Sequence, residues 1–184
     1  MSTHDGRGPG YSRRYVIGAL GACWGAAAVP RRALAAADSR TVSFVHTHTG
    51  ERLRATYFQT GQYRPDCLAQ VNHLLRDFRT GETHPIDPGL LDILYVLQTQ
   101  AAHESAFEVI SGFRSAATNA MLRRTSEGVA QHSMHLVGRA IDVRLQGYST
   151  GRLHALARSL GRGGVGFYPA SDFVHLDTGR VRFW

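Results

Sequence analysis

Between Ser133 and Asp142 the chain reads SMHLVGRAID, which places a histidine, a glycine and an aspartate in one short run. Catalytic zinc is held by three side chains drawn from His, Cys, Asp and Glu, with a further position left open. The cysteine route is closed beyond residue 37, where Cys67 stands alone. Histidine and carboxylate must therefore supply the set. Gly138 permits a turn between His135 and Asp142, so a loop histidine and an aspartate on the next strand can converge on one ion. Such a pair alone is more often structural. A third ligand is needed, and His175 in the late segment FVHLD is the best candidate.

The elements that must position these residues can be read from periodicity. Residues 41–58 alternate and break at Thr49-Gly50-Glu51, the pattern of a β-hairpin. A helix is expected after Asp66, with Leu68, Val71, Leu74, Leu75 and Phe78 on one face, stopping at Thr80-Gly81. Another starts at Asp87-Pro88, a capping residue followed by proline at the first helical position, and carries the stripe Leu90, Leu94, Leu97, Ala101. FEVISGFRS (107–115) reads as a short strand whose Ser115 caps a helix to about Leu122. AIDVRL is a strand, a helix runs from Ser149 or Thr150 to Gly161, and 163–169 and 173–179 close the chain as strands. This order of mixed elements predicts an α+β fold with a mainly antiparallel sheet flanked by helices.

Residues 1–37 have the layout of an export signal. Arg13-Arg14 precedes a weakly apolar run from Tyr15 to Val29, then Pro30-Arg31-Arg32 and the small-x-small pattern Ala33-Leu34-Ala35. The paired arginines fit the twin-arginine type, and the run is short for a transmembrane helix. A lipoprotein-like variant centres on Cys23. Residues 38–184 are then one domain, expected to act in the periplasm as a monomer. The formal net charge is +7, but five of the 21 basic residues and one of the 14 acidic ones lie in residues 1–37, which leaves 16 arginines against 13 acids. Those arginines are scattered, so nucleic acid is not an expected partner.

Ser133-x-His135-x-x-Gly138-x-Ala140-x-Asp142 resembles the signature of the zinc peptidase family of D-Ala-D-Ala dipeptidases and carboxypeptidases, phage endolysins and the hedgehog domain. Ser111-Gly112-Phe113-Arg114-Ser115 matches a second family segment. Nearly everything after residue 40 is similar to the murein endopeptidase K group within that family, through RDFRTGE (76–82), SGFRSAATNAML (111–122), SMHLVGRAIDVRL (133–145) and GGVGFYPASDFVHLDTGRVRFW (163–184). The resemblance implies a hedgehog/D-Ala-D-Ala peptidase-like fold and one zinc per chain on His135, Asp142 and His175. It implies cleavage of peptidoglycan stem-peptide cross-links, in that group the diaminopimelate–diaminopimelate bond. It also places a general base three residues before the last ligand, at Asp172. Asp177 is the rival, or else orients a ligand. Arg114 is expected to face a substrate carbonyl or carboxylate, and Ser133 to bond the substrate or cap a turn.

The other histidines are expected to be bystanders. His132 is assigned no ligand role, His46 and His48 read as outward positions of the hairpin, and His73, His84, His103 and His154 have no convincing partners. Two alternatives to the endopeptidase stand beside it: an L,D- or D,D-carboxypeptidase on stem peptides, and a zinc-bearing wall-binding domain that hydrolyses nothing.

Overall fold

The computed structural model describes residues 38–125 and 130–184; the expected export signal and Cys23 lie outside the described residues. Eight strands form one sheet in the order β3-β2-β1-β4-β5-β7-β6-β8. They are β1 (Ser39–His46), β2 (Arg52–Gln59), β3 (Gln62–Tyr63), β4 (Phe107–Ser111), β5 (Ala140–Leu145), β6 (Gly164–Tyr168), β7 (Phe173–Asp177) and β8 (Arg182–Phe183). The pairs β1/β4 and β6/β8 are parallel and the other pairs antiparallel, so the mainly antiparallel α+β expectation holds. Four helices accompany the sheet among the described residues: α1 (Pro65–Leu74), α2 (Pro88–Gln100), α3 (Ala116–Thr125) and α4 (Thr150–Leu160). None is long and apolar enough to cross a membrane.

Strand alternation divides the sheet into two chemically different faces. Val42 and Phe44 of β1, Phe107 and Val109 of β4, Ile141 and Val143 of β5, and Val174 and Leu176 of β7 are buried in one core cluster with Val71, Leu90, Leu94, Leu97 and Leu153 from the helices. The intervening positions of the central strands point the other way, and Asp142 and His175 are among them. One ladder therefore builds the core with one set of side chains and offers the alternate set for chemistry.

Helix α2 begins as its sequence predicts: the Asp87 carboxylate accepts the Gly89 N–H at 2.9 Å, with proline at the first helical position. Helix α4 ends on Gly161 at φ 60°. Helix α1 departs from expectation, stopping at Leu74 rather than at Gly81. Leu75 turns out of the helix, and its carbonyl accepts the Phe113 N–H at 2.8 Å. That long-range bond ties the end of α1 to the segment leading into α3.

Asp77 completes the connection. Its buried carboxylate accepts the N–H groups of Arg79 at 3.0 Å and Ser115 at 2.9 Å. Burial alone would raise this carboxyl, but hydrogen bonds from Thr118, Ser115 and Arg79 overrule it and leave the pKa at about 2. The 77–82 turn is thereby fastened to the start of α3. The hairpin expectation also needs one correction: His46 is buried, not outward. Its Nδ1 accepts the N–H groups of His48 at 3.2 Å and Thr49 at 3.4 Å, so it is consumed in closing the turn.

A carboxyl whose folded pKa is depressed stabilises the fold above its unfolded pKa, and that contribution fades as pH falls through the folded value. Asp77→Asn is expected to lower unfolding free energy near neutrality by about 2–3 kcal/mol, the scale of lost charge-assisted bonds. Chemical denaturation of the wild type should show stability lost between about pH 4 and pH 2, and the variant should have a flatter profile there.

Candidate metal centre

Cross-strand pairing of Asp142 with His175 brings two of the expected ligands face to face. The third arrives on a short 3-10 helix, Met134–Val137, that leads into β5. Ser133 caps this helix by accepting the His135 N–H at 3.4 Å, and Gly138 ends it at φ 64°. A Cβ on Gly138 would lie 2.1 Å from the Pro85 carbonyl oxygen, so glycine is required both for the turn and for this approach. The result buries His135, Asp142 and His175 together.

The donor atoms have chelating separations. His135 Nε2 lies 3.2 Å from His175 Nδ1 and 3.3 Å from Asp142 Oδ1, and His175 Nδ1 lies 2.8 Å from Asp142 Oδ1. Ligands at 2.0–2.1 Å in tetrahedral array are roughly 3.3 Å apart. Two imidazoles and one carboxylate at this spacing fit a zinc ion.

The outer atoms of each ligand decide which nitrogens face inward. The Gly112 carbonyl accepts from His135 Nδ1 at 2.7 Å, and a carbonyl cannot donate, so His135 carries its proton on Nδ1 and turns the Nε2 lone pair inward. The Asp177 carboxylate accepts from His175 Nε2 at 3.1 Å, which leaves Nδ1 as the inward donor. Such outer partners fix the ring orientation and tautomer of metal-binding histidines. Gly112 is itself confined, since a Cβ there would lie 2.5 Å from the Leu75 carbonyl oxygen. Asp142 directs its second oxygen to Arg114 Nη2, and Arg114 Nε donates to Ser111 Oγ at 2.8 Å.

The protonation pattern suits a cation. Burial pushes His135 below the ordinary histidine value. Burial also acts to lower His175, but its contacts with Asp142 and Asp177 outweigh that and raise it. Burial would raise the Asp142 carboxyl, yet the two histidines hold it well below the usual carboxylate range. Asp177 is likewise held low, against burial, by His175, Arg182 and the N–H groups of Gly179 and Gly164. Two ionised carboxylates flank this histidine pair, and a divalent ion would meet that negative charge without a proton on His175 Nδ1.

The triad opens onto a cavity of about 580 Å³ whose wall includes Arg114, His132, Ser133, Tyr168, Phe173 and Trp184. Ser133 thus both caps the turn and lines the cavity, and His132 is an exposed wall residue. The two carboxylates expected as proton acceptor are placed differently. Asp177 is fully buried behind His175, and its oxygens also take Arg182 Nη1 at 3.1 Å and Nη2 at 2.6 Å. Asp172, at φ 51°, is bonded to Thr150 Oγ1 and to Arg144 Nη1 at 3.3 Å, and neither aspartate lines the cavity.

Trp184 and Arg182 are wall residues that sequence reasoning missed. The Trp184 ring lies 5.2 Å from the His175 ring, its Nε1 donates to Tyr168 Oη at 2.8 Å, and the Arg182 guanidinium lies 5.0 Å from it. Gly166 leaves the room: a Cβ there would come within 2.6 Å of the indole. No local pattern announces a tryptophan at the chain end as part of a site; only the β6/β8 pairing brings it there.

A family described as "Peptidoglycan L,D-endopeptidase MepK" matches residues 34–184. The chain is 40% identical over 176 residues to the protein of that name from Escherichia coli strain K12, across 94% of this chain and 97% of that protein. The same identity and coverage relate it to the Shigella flexneri protein of that name. It is 44% identical over 146 residues to "Probable peptidoglycan L,D-endopeptidase MepK" of Haemophilus influenzae, across 79% of this chain and 78% of that relative.

The geometry separates ligands from their supports. His135→Ala and His175→Ala are expected to abolish stoichiometric zinc binding, while Asp177→Asn weakens it by about 10–100-fold, the usual cost of losing an outer partner. Competition against a chromophoric chelator measures both. Equal affinity in Asp177→Asn and wild type would remove the orienting role.

Proposed function

Because the chain belongs to the peptidoglycan L,D-endopeptidase MepK family, we propose that it is a zinc-dependent murein endopeptidase hydrolysing diaminopimelate–diaminopimelate cross-links. The observation that carries this reading is the buried His135, Asp142, His175 set at chelating distance, facing an open cavity. His135, Asp142 and His175 would hold the zinc, which would supply Lewis acidity for the scissile carbonyl and the attacking water. A cross-link in the wall also requires export, the task expected of residues 1–37.

The chain's own residues divide the remaining work. Gly112 and Asp177 keep both imidazoles in the coordinating tautomer. Arg114 fixes Asp142 and, from the cavity wall, presents its guanidinium to the carbonyl oxygen as charge develops there. Ser133 offers its hydroxyl from the same wall. Asp177 is committed to His175 and Arg182, so proton transfer falls to Asp172 among the two expected carboxylates. Its neighbours Ser171 and Phe173 line the cavity, and its contacts with Thr150 and Arg144 must be released before it acts. The Trp184 and Tyr168 rings form an apolar wall against which a stem peptide can lie.

Digestion of purified peptidoglycan with and without chelator, followed by mass analysis of the muropeptides, tests the reading. Chelator-sensitive conversion of cross-linked dimers to monomers is expected; removal of terminal residues alone would indicate a carboxypeptidase, and no change a binding domain. Asp172→Asn is expected to lower kcat by about 100-fold or more while zinc content stays at one per chain. Full activity in that variant would move the proton acceptor elsewhere, with His132 and His48 the other histidines on the wall besides the ligands.

A further inference from the structure

Three arginines line the cavity, Arg79, Arg114 and Arg182, while Asp142 supplies its carboxylate lining among the described residues. Two of the three have their charge answered within the protein. Arg114 is paired with Asp142, and Arg182 makes a two-point pair with Asp177. Arg79 is different: no hydrogen bond or ion pair engages its guanidinium among the described residues.

Its position is nevertheless fixed. The guanidinium carbon sits 4.2 Å from the centre of the Phe78 ring, and Phe78 stacks on His48 at 4.1 Å with the planes 12° apart. Phe78 also meets the buried His46 edge-on at 5.5 Å. The backbone beneath is anchored by the Arg79 N–H bond to Asp77 and by the Gly81 N–H bond to the Asp77 carbonyl at 2.7 Å. A cation held on an aromatic stack, lining a cavity and unmatched by any anion among the described residues, is arranged to receive an anion from outside. A guanidinium offers a fork of donors that matches a carboxylate at two points.

From this we infer that Arg79 binds a free carboxylate of the substrate and makes the enzyme selective for cross-links that carry one. The inference rests on the proposed endopeptidase reading and deepens it. In a diaminopimelate–diaminopimelate link, the residue that supplies the amide nitrogen keeps a carboxylate on the same carbon, and the other diaminopimelate keeps one at its free end. The first lies beside the scissile nitrogen, and the second stands off from the scissile carbonyl by the length of the diaminopimelate side chain. Arg114, already neutralised by Asp142, is suited to the uncharged carbonyl, which leaves the carboxylate to Arg79.

The test compares a synthetic cross-linked peptide bearing free carboxylates with twins in which one or the other is a carboxamide. The zinc-loaded wild type should favour the free form by roughly tenfold to hundredfold in kcat/KM, the worth of one charge-assisted bond. Arg79→Gln should erase that preference by losing rate on the free form alone, and Arg79→Lys should keep part of it. Melting temperatures should be unchanged, since the side chain is exposed. A preference that survives in Arg79→Gln, or a wild type indifferent to both carboxamides, overturns the inference while leaving the endopeptidase reading intact. Cleavage of no peptide removes that reading instead, and calorimetric binding of the same peptides to wild type and Arg79→Gln then decides Arg79 on its own: equal affinities in the two proteins overturn it.

Discussion

Asp142 and His175 occupy one cross-strand pair, and their side chains must share a face with no freedom to separate. That register, set by the β5/β7 ladder, puts a carboxylate oxygen 2.8 Å from an imidazole nitrogen in a buried setting. Buried polar groups are costly unless fully partnered. Here every outward atom of the cluster is answered: His135 by the Gly112 carbonyl, His175 by Asp177, and Asp142 by Arg114. The inward atoms converge on one point, where a cation would satisfy them all.

Close backbone approaches keep those outer partners in place. Gly112 lies against Leu75, Gly138 against Pro85 and Gly166 against Trp184, each at a distance a Cβ would not tolerate. Helix α1 ends early for the same reason: Leu75 is needed to hold the Phe113 backbone beside Gly112. Asp77 then joins that corner to α3 through Ser115. Distortions of the helical plan near residue 75 thus support a histidine sixty residues away in sequence.

Charge is distributed with equal economy. Arg114 and Arg182 serve carboxylates that belong to or stand behind the ligand set, and Arg144 bridges Glu108 and Asp172 at the side of the sheet. Of the scattered arginines that gave no sign of a nucleic-acid surface, Arg79, Arg114 and Arg182 line one cavity. Aromatic rings carry the Arg79 guanidinium through Phe78 and His48, and Tyr168 and Trp184 add ring surface to the cavity wall.

Much of this was legible in the chain itself. AIDVRL and FVHLD read as strands, and the S-x-H-x-x-G-x-A-x-D spacing marked His135, Gly138 and Asp142 before any contact was known. The α+β character and the caps at Asp87 and Gly161 followed from local preferences. Other properties depend on which distant segments meet, and local pattern carries no record of that. The burial of His46, the end of α1 at Leu74, the aim of Asp172 toward Arg144 and Thr150, and the arrival of Trp184 beside His175 are all of this kind. Residue types and spacing determine which donors exist; strand register and long-range hydrogen bonds decide which of their atoms face the same point.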